Sequence, residues 1–350
     1  MTTVTRALAV PSASAHFEPV TIERRALRDH DIRIDIAYAG ICHSDIHQVR
    51  EEWGPAVFPM VPGHEIAGVV SEVGSAVTRH KVGDRVGVGC MVDSCGQCEQ
   101  CLAGHENFCQ VKTVWTYNDT YPDGEITQGG YSQQIVVAED FAVKIPDSME
   151  LDVAAPLLCA GVTVYNPLKR WGAGPGKKVA VVGMGGLGHM AVKIAAAMGS
   201  EVTVLSQTTS KEADGRAFGA VDYRATADGS VYSELRGTFD LVINTVSADV
   251  PLDRFLRMLR PFGAVVNVGL PTNPQQVRIG SLTSGDKVLT GSNIGGIPIT
   301  QEMLDFCGEH GIAATVETIS ADEVDKAYDR VVNSDVRYRF VIDVSTIPAT

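Results

Sequence analysis

Four of the eight cysteines fall in one short stretch, CGQCEQCLAGHENFC, residues 95–109. Cys95, Cys98, Cys101 and Cys109 follow the spacing C-x2-C-x2-C-x7-C. Four thiolates on short loops close a tetrahedron around zinc and leave no coordination position open, which makes such a site structural. Gly96 and Gly104 supply the tight turns that aim the sulfurs inward. An iron–sulfur cluster draws on the same donors. A nucleic-acid-reading zinc module is disfavoured, because the stretch lacks basic flanks.

A second set of donors is scattered. AGICHSDIH (39–47), FPMVPGHEIAGVV (58–70) and APLLCAGVTVY (155–165) carry Cys42, His64 and Cys159. Two cysteines and one histidine leave a fourth tetrahedral position for water or a substrate oxygen, the mark of a catalytic zinc site. Glu65 follows His64 and is placed to serve as an alternating or supporting ligand. Taken singly, Cys42 and Cys159 are better explained as small buried hydrophobes.

The third pattern binds phosphate. In KKVAVVGMGGLGHMAVKIAAAMGSEVTVLSQTTSK (177–211) a short apolar strand runs into Gly183, Met184, Gly185, Gly186, Leu187 and Gly188, then a helix and a second strand. This G-x-G-x-x-G, in its strand–turn–helix–strand context, is the dinucleotide fingerprint. Its glycines let the backbone approach a pyrophosphate at the positive helix N-terminus. NAD sites place Asp or Glu about 20 residues on, against the ribose hydroxyls. Ser206 stands there instead, followed by Gln207, Thr208 and Lys211, which favours the 2′-phosphate of NADP; if the loop is merely polar, both cofactors bind. Further strand-like runs at 239–246 and 263–270, with a helical stretch between, continue an alternating α/β pattern and a parallel sheet.

These motifs need about two domains, and 350 residues with 45% hydrophobic content suffice. The net charge of −13 disfavours nucleic acid and anionic membrane surfaces as partners. The N-terminal MTTVTRALAV has no apolar run behind a basic head, and no apolar stretch approaches the roughly 18 residues of a spanning helix. A cytoplasmic location with reduced thiols is expected.

Together GICHSDIH, FPMVPGHEIAGVV, KVGDRVGVG, the four-cysteine stretch, TQGGYS, LLCAGVTVY, GMGGLGH and VRYRFVID resemble the zinc-dependent medium-chain alcohol dehydrogenases, more closely their cinnamyl alcohol dehydrogenase branch, over residues 30–343. The resemblance implies an α/β protein: a GroES-like β-rich catalytic domain, 1–154 with 296–350, and an inserted Rossmann domain, 155–295. It implies an active site in the cleft between them, a homodimer, two zinc ions per chain and NADP. The catalytic ligands fall on Cys42, His64 and Cys159 with Glu65 alternating, and the structural ligands on Cys95, Cys98, Cys101 and Cys109. The proton relay falls on Ser44, which also meets the cofactor, and His47. Cofactor contacts fall on Thr163, the 183–188 turn, the 206–211 loop, Thr245, Gly269, Ser292, Asn293 and Ile294. Two positions depart from plant cinnamyl alcohol dehydrogenases: Asn293 replaces an aromatic, and Glu52 stands where the relay ends in Asp. The likeness therefore extends to the reaction type rather than to a lignin-type substrate.

The implied activity is reversible reduction of aromatic and aliphatic aldehydes to primary alcohols by NADPH. Trp53 and Trp115 are the candidate substrate walls. Asp45 reads either as the hydrogen-bond partner of His64 or as an acid at a helix N-terminus. Cys90 and Cys307 read as packing residues, His189 as packing or as a neighbour of the cofactor, and ADEVDKAYDR (321–330) as a solvated amphipathic helix. An NAD-dependent polyol or secondary-alcohol dehydrogenase of the same fold conflicts with Ser206. A non-catalytic cofactor-binding protein conflicts with the intact set Cys42, Ser44, His47, His64 and Cys159.

Overall fold

The computed structural model describes residues 2–349. The chain divides into two compact units, 1–159 with 295–350, and 160–294.

The first unit is built on the long strand Asp31–Gly40, in which Ile32, Ile34 and Ile36 alternate into the core. Ile66–Val73 pairs antiparallel along one side of it. Gln134–Ala138 covers the start of the other side, and the late strand Arg339–Asp343 covers its end, with Val341 opposite Gly40. Val316–Ile319, Arg85–Val88 and Val143–Lys144 complete the seven-stranded sheet. Both ends of the chain thus share one core.

Residues 155–159 and Gly295 were expected with the inserted domain. They belong instead to the first unit, where the 3-10 turn Ala155–Leu158 buries Leu157 and Leu158. An apolar run such as APLLCA reads as helix start from either side, so sequence pattern does not choose between the cores.

The second unit is a six-stranded parallel sheet: Lys178–Val182, Glu201–Ser206, Asp222–Ala225, Phe239–Asn244, Leu259–Asn267 and Val288–Gly291. Its spatial order is third, second, first, fourth, fifth, sixth. This is the doubly wound order, in which ligands bind where the winding reverses, between the first and fourth strands. Val179–Val182 are all buried, as a strand covered on both faces requires. Phe239, Phe255, Leu256, Met258 and Val265 form the core on one face. Among the described residues, no single helix is long and apolar enough to cross a membrane.

Candidate active site and cofactor turn

The helix His43–Val49 begins directly after Cys42, which occupies its N-cap. Asp45, in its first turn, is fully buried. One carboxylate oxygen accepts the Cys42 backbone N–H at 2.8 Å, and the other pairs with His64 Nδ1 at 2.9 Å. With Nδ1 donating to Asp45, the Nε2 lone pair of His64 is left for a metal. Asp45 therefore fills both of its expected roles, helix cap and histidine partner.

Donor atoms of Cys42, His64, Glu65 and Cys159 all lie within 4.8 Å of one another, and all four residues are buried. Cys42 and Cys159 have their sulfurs 4.0 Å apart. The hydrogen bond from Cys159, helped by Arg339 and His64, holds the Cys42 thiol well below its ordinary range despite burial. Cys159 is correspondingly raised by its bonds to Cys42 and Cys90. Burial opposes charge on His64, but the Asp45 carboxylate raises it well above normal. Burial also pushes the Glu65 carboxyl up to about 7, against the pull of Arg339. Glu65 is ion-paired to Arg339 through one oxygen, while Oε2 has no partner in the buried pocket. A clustered thiolate pair, an oriented imidazole and an orphaned carboxylate oxygen fit a zinc ion that keeps an open position.

In the cysteine lobe the Sγ separations are 3.9 Å for Cys95–Cys101, 3.5 Å for Cys98–Cys101 and 4.0 Å for Cys98–Cys109. Zinc–sulfur bonds of about 2.3 Å give tetrahedral edges of about 3.8 Å, so the four thiols stand at the size of a filled zinc site. Backbone N–H groups already point at the sulfurs: Cys95 N–H at Cys109 and Gln110 N–H at Cys98, both 3.4 Å. Although desolvation works the other way, such N–H bonds lower the Cys109 thiol to about 6. A thiol lowered in this way is prepared as a metal ligand.

His47 lies on the same short helix as Ser44, whose Oγ is 3.7 Å from Cys42 Sγ. His47 Nδ1 is 2.5 Å from Glu52 Oε2, and its ring stacks on Trp53 with centroids 4.8 Å apart. The two tryptophans differ in setting. Trp53 is 45% exposed and covers His47, whereas Trp115 is 39% exposed and its backbone N–H donates to Asp119.

In the second unit, a Cβ at Gly188 would stand 2.1 Å from the Gly183 carbonyl, and Gly183 itself has φ +92. These two glycines are needed by the turn. A Cβ on Gly185 would meet nothing within 4 Å, so the turn presents open space at the N-terminus of the helix Gly186–Ala197. That is room for a pyrophosphate against free N–H groups. His189 is fully buried in this helix, its Nδ1 3.3 Å from the Gly185 carbonyl, and it braces the turn. Thr245 Oγ1 donates to Val182 at 2.8 Å, and Lys211 Nζ donates to Met184 at 3.1 Å, so both sit at the turn's rim. Ser206 ends the second strand, with Gln207 and Thr208 exposed beyond it. Gly269 packs against the Val246 carbonyl, 2.3 Å from where its Cβ would be. Thr163 is buried on the helix Ala160–Arg170; Ser292 N–H donates to Asn267 at 3.0 Å, Asn293 is exposed, and Ile294 accepts from Asn166 at 2.7 Å.

Comparison with known proteins agrees with this geometry. Residues 28–147 match the family described as alcohol dehydrogenase GroES-like domain, and residues 186–346 the family described as zinc-binding dehydrogenase. A probable formaldehyde dehydrogenase of Bacillus subtilis is 57% identical over 343 residues, covering 98% of each chain. The chain belongs to the zinc-binding alcohol dehydrogenases. An NADP-dependent alcohol dehydrogenase C of Mycolicibacterium smegmatis is 56% identical, with 99% of each chain covered. A cinnamyl alcohol dehydrogenase structure from Sorghum bicolor superposes with a TM-score of 0.95 at 44% identity, covering 99% of this chain and 100% of that one.

Four side chains of this zinc-binding alcohol dehydrogenase had no role assigned from sequence. Tyr131 OH is 3.4 Å from Asp45, and Tyr328 OH is 3.3 Å from Tyr131, so two buried phenols stand behind the His64–Asp45 pair. Tyr328 is on the buried face of the helix Val324–Val332, which was read as a solvated amphipathic helix with no part in the site. Arg339 pairs with Glu65, and the thiol of Cys90, read as packing, helps to raise that of Cys159. TQGGYS and VRYRFVID signalled Tyr131 and Arg339 as family motifs, but a motif does not state a partner.

Proposed function

We propose that this protein catalyses the reversible reduction of aldehydes to primary alcohols with NADPH, accepting both aromatic and aliphatic substrates. The observation that carries the reading is the convergence of Cys42, His64 and Cys159 in one buried cluster, with Asp45 fixing the histidine. The NADP preference is supported by Ser206 and Lys211 and by the likeness to the NADP-dependent enzyme of Mycolicibacterium smegmatis.

Cys42, His64 and Cys159 would hold the catalytic zinc, with Glu65 as an alternating donor, and the four-cysteine lobe a structural one. When bound, the catalytic zinc polarises the substrate oxygen as a Lewis acid. NADPH, when bound by residues 160–294, supplies the hydride. The chain's own residues manage the proton. Ser44 donates it to the developing alkoxide side and is resupplied from His47. Glu52, at His47 Nδ1, orients the ring and returns the proton from solvent. A histidine suits this exchange near neutral pH. Trp53 stacks on the His47 ring and limits its rotation, and with Trp115 supplies flat apolar surface for the substrate.

A homodimer is part of the proposal. The strand Val288–Gly291 leaves the parallel sheet with an open edge, and the same unit exposes Leu270 and Ile279. Thiolate-rich metal sites suit a reducing compartment, and a cytoplasmic location is proposed on that ground.

The test is the initial rate of benzaldehyde reduction with NADPH and NADH in parallel, on protein assayed for zinc. A large NADPH advantage with two zinc ions per chain is expected. An NADH preference would return the polyol-type reading, and no rate with either cofactor across aldehydes would overturn the enzyme assignment.

A further inference from the structure

In the second unit, the apolar core on one face of the parallel sheet stops short of the carboxyl ends of the strands. Val242 on the fourth strand and Val265 on the fifth belong to that core. Two residues on, the pleat brings Asn244 and Asn267, which are cross-strand partners, to the same face. Asn244 is 2% exposed and Asn267 half-buried. A leucine or valine would extend the core here, whereas a buried amide costs free energy unless it is hydrogen-bonded.

The two amides answer one another. Asn244 Nδ2 donates to Asn267 Oδ1 at 2.9 Å, and Asn267 Nδ2 donates to the Thr290 carbonyl at 3.5 Å. With its Nδ2 committed to Asn267, Asn244 turns its Oδ1 to the Val246 N–H, which it accepts at 3.3 Å.

The place of this pair in the sheet gives it a use. Asn244 lies in register between Asn267 and Val182, the last residue before the Gly183 turn. The winding of the sheet reverses between these strands, and ligands of such sheets bind outside the carboxyl ends at that point. Thr245 is tied to Val182 by its own N–H and hydroxyl. Val246, one residue further, is tied by the Asn244 amide. Val246 also borders the phosphate turn directly: a Cβ on Gly183 would stand 2.8 Å from Val246 Cγ2, and Gly269 packs against the Val246 carbonyl.

We propose that Asn244 and Asn267 are positioning residues for the cofactor: Asn267 orients the Asn244 amide, which holds Val246 against Gly183 and so shapes the crevice wall that NADPH meets. The inference rests on the reading of residues 160–294 as the NADPH-binding unit. Every link in it lies within that unit.

The experiment is a fluorescence titration of NADPH into zinc-loaded wild type, N244L, N267L and N244L/N267L, with thermal midpoint, KM for NADPH and kcat measured on each. Leucine keeps the approximate shape of asparagine without its polar atoms. Each single variant should bind NADPH roughly fivefold more weakly, the scale of one neutral hydrogen bond. KM for NADPH should rise in step while kcat at saturation holds. The double variant should lose no more affinity than the weaker single, because both substitutions break the same path. It should also regain part of the thermal midpoint that the singles lose, since neither amide is left facing an apolar partner. Wild-type affinity in the variants, whatever their midpoints, would assign the pair to the fold alone and overturn the inference. Additive losses in the double variant would overturn the shared path. If a single variant does not fold, the double decides: a fivefold loss sustains the inference and wild-type affinity ends it. Wild type that fails to bind NADPH would instead sink the cofactor reading itself.

Discussion

Asp45 grips two members of the metal cluster at once: His64 Nδ1 at 2.9 Å through one oxygen, and the Cys42 N–H at 2.8 Å through the other. An amide at this position keeps the shape but has only one acceptor oxygen and no charge. D45N should therefore weaken zinc binding about 10- to 100-fold, the range for lost support behind a ligand. Competition with a colorimetric chelator measures this directly. Wild-type zinc retention in D45N would show that the ligands hold their own orientation.

The two sulfur clusters should fail differently. C98S opens the cysteine lobe, and is expected to lower the thermal midpoint and release one zinc per chain. C159S removes a donor from the open site, and should abolish turnover while the midpoint stays close to wild type. Metal analysis beside calorimetry separates the two, and full thermal stability in C98S would end the structural assignment.

Cofactor choice turns on the end of the second Rossmann strand. An acid at Ser206 repels a 2′-phosphate and can accept from ribose hydroxyls. S206D should lower kcat/KM with NADPH by at least about tenfold, or about 1.4 kcal/mol, and raise it with NADH. Parallel steady-state kinetics decide the matter; an unchanged ratio would assign discrimination elsewhere in the loop.

Glu65 and Arg339 are a buried ion pair, and breaking one partner leaves a charge without compensation. E65Q should destabilise the fold by roughly 3–5 kcal/mol, because the buried Arg339 cannot shed its charge. R339M should cost less, because the Glu65 carboxyl, already pushed up to about 7 by burial, can take up a proton once Arg339 is gone. Chemical denaturation of both variants would show the asymmetry, and equal midpoints would contradict it.

Legibility from sequence followed distance along the chain. The four-cysteine stretch and the 183–188 turn are contiguous, so spacing alone exposed their chemistry. Cys42, His64 and Cys159 were readable only as a set, since a lone cysteine in an apolar run packs as readily as it ligates. Of the supporting groups, Asp45 was readable as one of two alternatives, whereas Tyr131, Tyr328 and Arg339 had no partner readable in the sequence. Tyr131 meets Asp45 across 86 residues, Tyr328 meets Tyr131 across 197, and Arg339 meets Glu65 across 274. Side chains brought together by tertiary packing leave no periodic trace. The same holds for residues 155–159, whose core was chosen by tertiary packing.

Arg339 belongs to a strand that pairs with the end of Asp31–Gly40, beside the metal cluster. On the ribosome, every metal donor emerges well before this strand does. The nascent chain therefore carries Glu65 without its counterion until Arg339 has been made, so the catalytic pocket completes late within the first unit. All six strands of the parallel sheet have been made by then, so the nucleotide fold has its full sequence before the metal pocket has its counterion.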